Sequence, residues 1–374
     1  MIEISLHQYS RELLETMHIS RGGFTSRTHN IVSLTYKGHD FFSEVIGESQ
    51  LIEYLFERLF DYIKINKNIS TLSEFFVVVD EWINSFVYLE VHSSISSIGC
   101  AFDWLKVITD SYFSGKTIFE ILSIPNPKRD YTKVYGSNLY WKSSIKEFKK
   151  QINDFDFSKT SILKFHLGRM SPKNEFKYYQ LIEENPNIDQ FMIDLNCGYR
   201  IEEFKELSEY LLSSEIFRKK LLWIEEPTHP DLANYWNNIT SINLAAGENH
   251  HGIQQLSNLS TYGIEWIMPD FGRTLRITDF PILVKEIKGN SYISFHSYSS
   301  GFLAYLSLLI STALPLEKTL YEHDFSQNAL LSDITRDSIK IKNGFAYIDG
   351  NALHELNLNK IEDSWKLKSI SIEL

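Results

Sequence analysis

Six ionisable residues recur at the ends of short apolar runs at intervals that fit a repeating strand-and-helix unit. They are Asp194, Glu225, Glu248, Asp270, His296 and Glu322, spaced 31, 23, 22, 26 and 26 residues apart. One strand, one helix and two short connections take up such an interval. The series therefore predicts successive βα units of a barrel, in which the C-terminal strand ends all face one mouth. A strand-end carboxylate taken singly is more often a helix cap or an ion-pair partner than a ligand. Six in register would be costly to bury without chemistry to use them.

The predicted strands are 190–194, 221–225, 244–248, 265–270, 292–296 and 319–322, mostly apolar and each stopping at a charge or an imidazole, as strands buried on both faces do. Helices are predicted over 200–215, 231–241, 252–262, 274–288 and 301–313. An earlier strand, 162–168, carries Lys164 and His166 on one face. Ser171-Pro172 then opens a helix, with Pro in the first turn where its missing N–H costs little.

Asp194, Glu225 and Glu248 would supply oxygen ligands from adjacent strands, which suits Mg²⁺ with positions left for substrate and water. Zinc is disfavoured, since neither cysteine lies among them and no paired-histidine spacing on a helix occurs. Asp270 would accept a bond from His296 and fix its tautomer. Lys164 and His166 stand opposite, so nitrogen bases would flank the substrate on both faces.

These residues carry a family resemblance over about the whole chain. Ile193-Asp-Leu-Asn196, Trp223-Ile-Glu-Glu-Pro227 and Gly247-Glu-Asn249 resemble the three metal-ligand strands of the mandelate racemase branch of the enolase superfamily. Met268-Pro-Asp-Phe-Gly-Arg273 and Ser294-Phe-His296 resemble its dyad strands, and Leu320-Tyr-Glu322 its last barrel carboxylate. Upstream, Ser97-Ile-Gly-Cys-Ala-Phe-Asp-Trp-Leu-Lys106 and Thr117-Ile-Phe-Glu-Ile-Leu122 resemble the end of the family's cap.

The resemblance implies one Mg²⁺ per subunit on Asp194, Glu225 and Glu248, an acid/base dyad of Asp270 and His296, and a hydrogen bond from Glu322 to substrate. Lys164 matches the first lysine of the family's Lys-x-Lys strand. His166 departs from it, standing where a second lysine or an arginine is usual; an imidazole of ordinary pKa near 6.5 can serve as a base at neutral pH, or can simply hydrogen-bond substrate or metal-bound water. Asn196 and Asn249 of the ligand motifs, with Arg21 and Arg27 of the Gly-rich segment 20–27, are candidates to bind substrate; each arginine has the alternative of a solvated loop charge.

The implied reaction begins with removal of the proton α to a carboxylate, with Mg²⁺ and Lys164 stabilising the enediolate. Loss of a β-hydroxyl, with acid help from His296, then gives a 2-keto-3-deoxy acid from a sugar acid, whereas return of a proton to the other face gives racemisation or epimerisation. A non-catalytic sugar-acid-binding homologue is a further alternative. A glycoside hydrolase using Glu225 and Glu322 would need neither a third carboxylate nor the Asp and His strands.

The expected fold is α/β: a modified TIM-type barrel over 125–345, an α+β cap over 1–124, and a tail over 346–374 returning to the cap. With 374 residues, 43% hydrophobic, the chain can bury a large core. Its net charge of −11 argues against a nucleic-acid surface. No apolar run reaches membrane-spanning length, and the longest, 301–314, suits a buried barrel helix or a subunit contact. Two cysteines and no signal-like start point to a reduced, cytoplasmic setting. The resemblance favours a homo-oligomer. His250, His251 and His323 sit beside ligand motifs, but neighbouring residues point apart, so at most one of the first two would line the pocket and His323 would face away.

Overall fold

The computed structural model describes residues 1–374 except 21, 66–68, 87–91, 290, 298–299, 327–328, 359–360 and 362–364. Its described strands form two sheets. The first is antiparallel, with β1 (Ile2–Ile19), β2 (Gly22–Tyr36) and β3 (His39–Val45) joined at one edge by the final strand of the chain, β14 (Lys366–Glu373), in the order β14-β1-β2-β3. Helices Ser49–Ile65, Leu72–Asn84 and His92–Ser114 complete this cap. The first of them buries Ile52, Leu55, Phe56, Leu59, Phe60 and Ile63, a helical stripe toward the core. A reciprocal Thr71–Glu74 capping box starts the second.

The second sheet holds eight parallel strands that close on themselves: β4 (Tyr131–Tyr140), β5 (Ile162–His166), β6 (Gln190–Asp194), β7 (Leu221–Glu225), β8 (Leu244–Ala246), β9 (Trp266–Ile267), β10 (Tyr292–Phe295) and β11 (Thr319–His323). Closure is the parallel pairing of β11 with β4. Beneath the mouth the barrel is filled by Tyr135, Met192, Trp223, Ala245, Trp266, Met268 and Leu320. Strand periodicity then places Asp194 above Met192, Glu225 above Trp223 and Glu322 above Leu320, all pointing to the barrel axis.

Several elements are shorter than the sequence suggests. β9 covers 266–267 instead of 265–270, because Pro269 has no N–H to donate and leaves Asp270 on a loop. β8 ends at Ala246, where Gly247 adopts φ 153° and packs so tightly on the Met268 backbone that a Cβ would lie 2.5 Å from its carbonyl carbon. The helix expected over 231–241 shrinks to Ala233–Trp236, and that over 274–288 to Phe280–Glu286, each after a 3₁₀ turn. Helix Gly301–Ser311 is buried at every position, which makes it a core helix of this chain.

The tail divides. β12 (Ile339–Lys342) and β13 (Phe345–Ile348) form a hairpin, and β13 pairs antiparallel with β4 at the bottom of the barrel. The strand expected at 346–348 therefore belongs to the barrel and not to the cap. The return to the cap is made by β14 (Lys366–Glu373), which pairs with β1. No helix among the described residues is long and apolar enough to cross a membrane.

Candidate active site

The cap reaches five of the loops that leave the barrel mouth. Arg169, after β5, donates to the carbonyls of Ile19 and Gly22 at the tip of the β1–β2 hairpin, at 2.8 and 2.6 Å. Ser20 donates to the Asn196 carbonyl after β6. Ser97 and Ser96 donate to Gly272 and Arg273 after β9, and Glu44 accepts the Ser300 N–H after β10. Arg27 pairs with Asp324 after β11. The loops after β5, β6, β9, β10 and β11 are thus tied to the cap, as a preorganised site requires.

Lys164 is the hub beneath this lid. Its Nζ, fully buried, lies 2.7 Å from Glu322, 3.2 Å from Glu225 and 3.6 Å from Asp194. Burial alone would lower its pKa, but Glu225, Glu322 and Asp194 together hold it well above the usual lysine value. Glu225 also accepts from Trp223 Nε1, and burial pushes its carboxyl up to about 8 despite Lys164. Glu322 accepts from Tyr135 Oη at 3.1 Å and from the Ser297 N–H.

His296 stands between two carboxylates, with Nδ1 2.8 Å from Asp270 and Nε2 2.8 Å from Glu248. Burial opposes its charge, but Glu248 and Asp270 raise its pKa well above 6.5. Asp270 is itself oriented by the Gly272 N–H, and Arg273 lies 3.4 Å from Glu248 while also donating to its backbone carbonyl.

His166 is engaged at both nitrogens by acceptors. Nε2 meets the Ser137 carbonyl at 2.9 Å, and Nδ1 faces Asp194 at 3.2 Å and Asn196 Oδ1 at 3.4 Å. Its ring stacks on Tyr140 at 4.6 Å. Nε2 donates to the Ser137 carbonyl, and Nδ1 is left facing Asp194 and Asn196. Its pKa is raised accordingly: burial opposes the charge, and the Asp194 hydrogen bond and charge outweigh it.

Asn196 binds back onto Asp194 through both its backbone and side-chain N–H groups. Asn249 Nδ2 lies near Glu248 and Cys197. Asn196, Cys197 and Glu226 all have positive φ, a concentration of unusual backbone in two adjoining loops. Arg27 is buried and paired with Asp324. Arg21 lies outside the described residues. His250 is buried beside Glu226, and His323 packs on Phe325, on the far side from Glu322.

Two buried carboxylates escaped the sequence reading. Glu226 accepts the Gly247 N–H, tying the β7 and β8 loops, and burial pushes its pKa up to about 8. Glu175 accepts three successive N–H groups, Gly168, Arg169 and Met170, together with the Tyr199 hydroxyl. The second Glu of Trp223-Ile-Glu-Glu-Pro227 was visible as a motif residue, whereas nothing in the sequence distinguishes Glu175 from other first-turn glutamates.

Asp194, Glu225 and Glu248 offer hard oxygen donors from consecutive strands, and buried carboxylates here outnumber the cations that face them, a donor set that fits Mg²⁺. Here Glu248 is turned to His296, and among the described residues no three His, Cys, Asp or Glu side chains converge as a metal cluster.

Residues 148–351 match the family model described as enolase C-terminal domain-like. Among solved structures the chain is similar to the 3,6-anhydro-D-galactonate cycloisomerase from Zobellia galactanivorans, at 18% identity over 98% of this chain and 99% of that one, with TM-score 0.78. It is similar to the L-talarate dehydratase from Polaromonas sp. JS666 complexed with Mg and L-glucarate, at 13% identity over 100% and 98%, TM-score 0.73. It is also similar to a substrate-liganded L-Ala-D/L-Glu epimerase from Bacillus subtilis, at 12% identity over 92% and 95%, TM-score 0.73. At such identities the likeness is one of fold. The comparison with curated proteins gives no match.

Proposed function

This chain belongs to the enolase C-terminal domain-like family, within the enolase superfamily, and from that premise we propose that it is a Mg²⁺-dependent acid-sugar dehydratase. The observation that carries the reading is His296, oriented at Nδ1 by Asp270 and presenting Nε2 to the carboxylate cluster. The names of the similar structures, a dehydratase, a cycloisomerase and an epimerase, are compatible with a shared beginning at the carbon next to a carboxylate.

Asp194, Glu225 and Glu248 would hold the ion, which when bound supplies positive charge to the substrate's carboxylate. Lys164 adds a fixed cation at the same place. With Glu248 engaged by the ion, His296 would be free to accept the α-proton at Nε2 while Asp270 holds Nδ1–H and keeps the tautomer. The electron pair released from the C–H bond passes through the enediolate to form the C=C bond as the β C–O bond breaks. The proton on His296 goes to the departing oxygen as water forms. The enol then becomes the 2-keto-3-deoxy acid.

Racemisation or epimerisation needs a base on the second face. On that face His166 is held at Nε2 by the Ser137 carbonyl and Lys164 is surrounded by carboxylates, while elimination needs His296 alone, which supports dehydration over racemisation. The test is proton NMR of the protein with Mg²⁺ and a panel of aldonic and aldaric acids. Dehydration gives a new 3-deoxy methylene that Glu248→Gln abolishes. Loss of the α-proton signal in D₂O without a methylene would move the assignment to a racemase or epimerase.

A further inference from the structure

We propose that Trp223 and Tyr135 are positioning residues that divide the carboxylates around Lys164: the Trp223 indole sets Glu225 for the ion, and the Tyr135 hydroxyl sets Glu322 for the substrate. This deepens the dehydratase reading and rests on it. Glu225 and Glu322 both lie on Lys164 Nζ, at 3.2 and 2.7 Å. Each also takes a proton from the layer of side chains below. Trp223 Nε1 donates to Glu225 Oε2 at 3.3 Å. Tyr135 Oη donates to Glu322 Oε2 at 3.1 Å, while Lys164 meets the same carboxylate at Oε1.

Strand geometry puts both donors in place. Trp223 precedes Glu225 by two residues on β7 and so faces the same way, and Tyr135 lies opposite Glu322 in the β4–β11 pairing. Both side chains are fully buried. Their rings meet edge to face at 5.7 Å, and Trp223 packs on Trp266 at 4.5 Å, which in turn stacks on Tyr292 at 4.6 Å. An apolar side chain would fill this floor with no polar atom to satisfy, whereas a buried indole or phenol needs an acceptor for its one polar proton. Here each proton goes to a different carboxylate, and the packed rings brace the donors, as the outer partners of a metal ligand or reacting group do.

The test is calorimetry of Mg²⁺ binding to the full chain without substrate, in wild type, Trp223→Phe and Tyr135→Phe, together with α-proton exchange in D₂O against six-carbon aldonic and aldaric acids. Trp223→Phe keeps an aromatic ring, removes the N–H and is expected to weaken Mg²⁺ binding by at least about tenfold. Tyr135→Phe should bind Mg²⁺ as wild type does yet lower exchange at saturating Mg²⁺ by about tenfold. Loss of packing alone would not separate the two effects. With ¹⁵N-tryptophan in the chain, seven indole signals are available, and the one displaced by Glu225→Gln should be the one that moves with Mg²⁺, a readout that holds even where Trp223→Phe fails to fold. Equal weakening of Mg²⁺ binding by both variants, wild-type Mg²⁺ affinity in Trp223→Phe, wild-type exchange in Tyr135→Phe, or no indole signal that answers to both Glu225→Gln and Mg²⁺ would overturn the division. If wild type binds Mg²⁺ but exchanges none of the acids, the dehydratase reading falls while the Mg²⁺ comparison still decides the role of Trp223; a wild type that binds no Mg²⁺ removes both.

Discussion

Arg27 of the cap and Asp324 of the barrel form an ion pair in which each side chain is only 6% exposed. Breaking a buried pair by removing one partner leaves an uncompensated charge. Arg27→Met should therefore cost roughly 3–5 kcal/mol of stability, measured as a fall in the urea midpoint, with Asp324→Leu added to it recovering part of the loss. A variant of unchanged midpoint but raised KM would instead return Arg27 to the substrate-binding role suggested by its Gly-rich setting.

The same pair sets an acid limit. Burial opposes ionisation of Asp324, but Arg27 and the Ser326 bonds hold its carboxyl below the usual value. A depressed folded pKa contributes stability that is complete above the unfolded value, about 3.9, and is lost as pH falls through the folded one. The wild-type protein should lose this increment below about pH 4. In Arg27→Met the corresponding part of the acid limb should be flattened when stability is followed by denaturant titration from pH 6 downward.

Glu175 holds the backbone just beyond Lys164 and His166, accepting Gly168 N–H at 2.8 Å, Arg169 N–H at 2.9 Å and Met170 N–H at 3.1 Å. Glu175→Ala strands three backbone donors and the Tyr199 hydroxyl, so a loss of about 3 kcal/mol or more is expected, and a fall in kcat from displacement of the β5 exit. Glu175→Gln keeps one carbonyl acceptor and should be milder on both. Thermal unfolding and steady-state kinetics of the two variants check this; equal effects would contradict it.

Mg²⁺ should raise the melting temperature, because an ion that binds the folded state alone stabilises it by about 2.7 kcal/mol at a hundred times its dissociation constant. Chelator should reverse the shift, and Glu225→Gln should abolish it. An unchanged melting temperature across a Mg²⁺ titration would argue against a site at Asp194, Glu225 and Glu248.

The sequence made the barrel legible because its buried strands and their polar ends follow a regular period. β6 and β7 fall on the residues expected, 190–194 and 221–225. Where local chemistry interrupts the period, the expectation ran too long, as at Pro269 and Gly247. The set Lys164, Asp194, Glu225, Glu248, Asp270, His296 and Glu322 could be named from strand ends, and the structure brings Asp194, Glu225 and Glu322 onto Lys164 and Glu248 and Asp270 onto His296. What stayed hidden depends on long-range pairing. Arg27 looks like a free loop cation until its strand is placed against the β11 exit. The strand 345–348 carries no mark that distinguishes β4 from β1 as its partner.

The most direct measurement is α-proton exchange in D₂O, followed by NMR with Mg²⁺ and a reactive sugar acid, in wild type, His296→Asn and His166→Gln. A general base contributes about 10²–10⁴ in rate, so His296→Asn is expected to lose exchange by at least about a hundredfold while His166→Gln retains most of it. Exchange that survives His296→Asn, or that collapses equally in His166→Gln, would contradict the assignment of His296 as the single base.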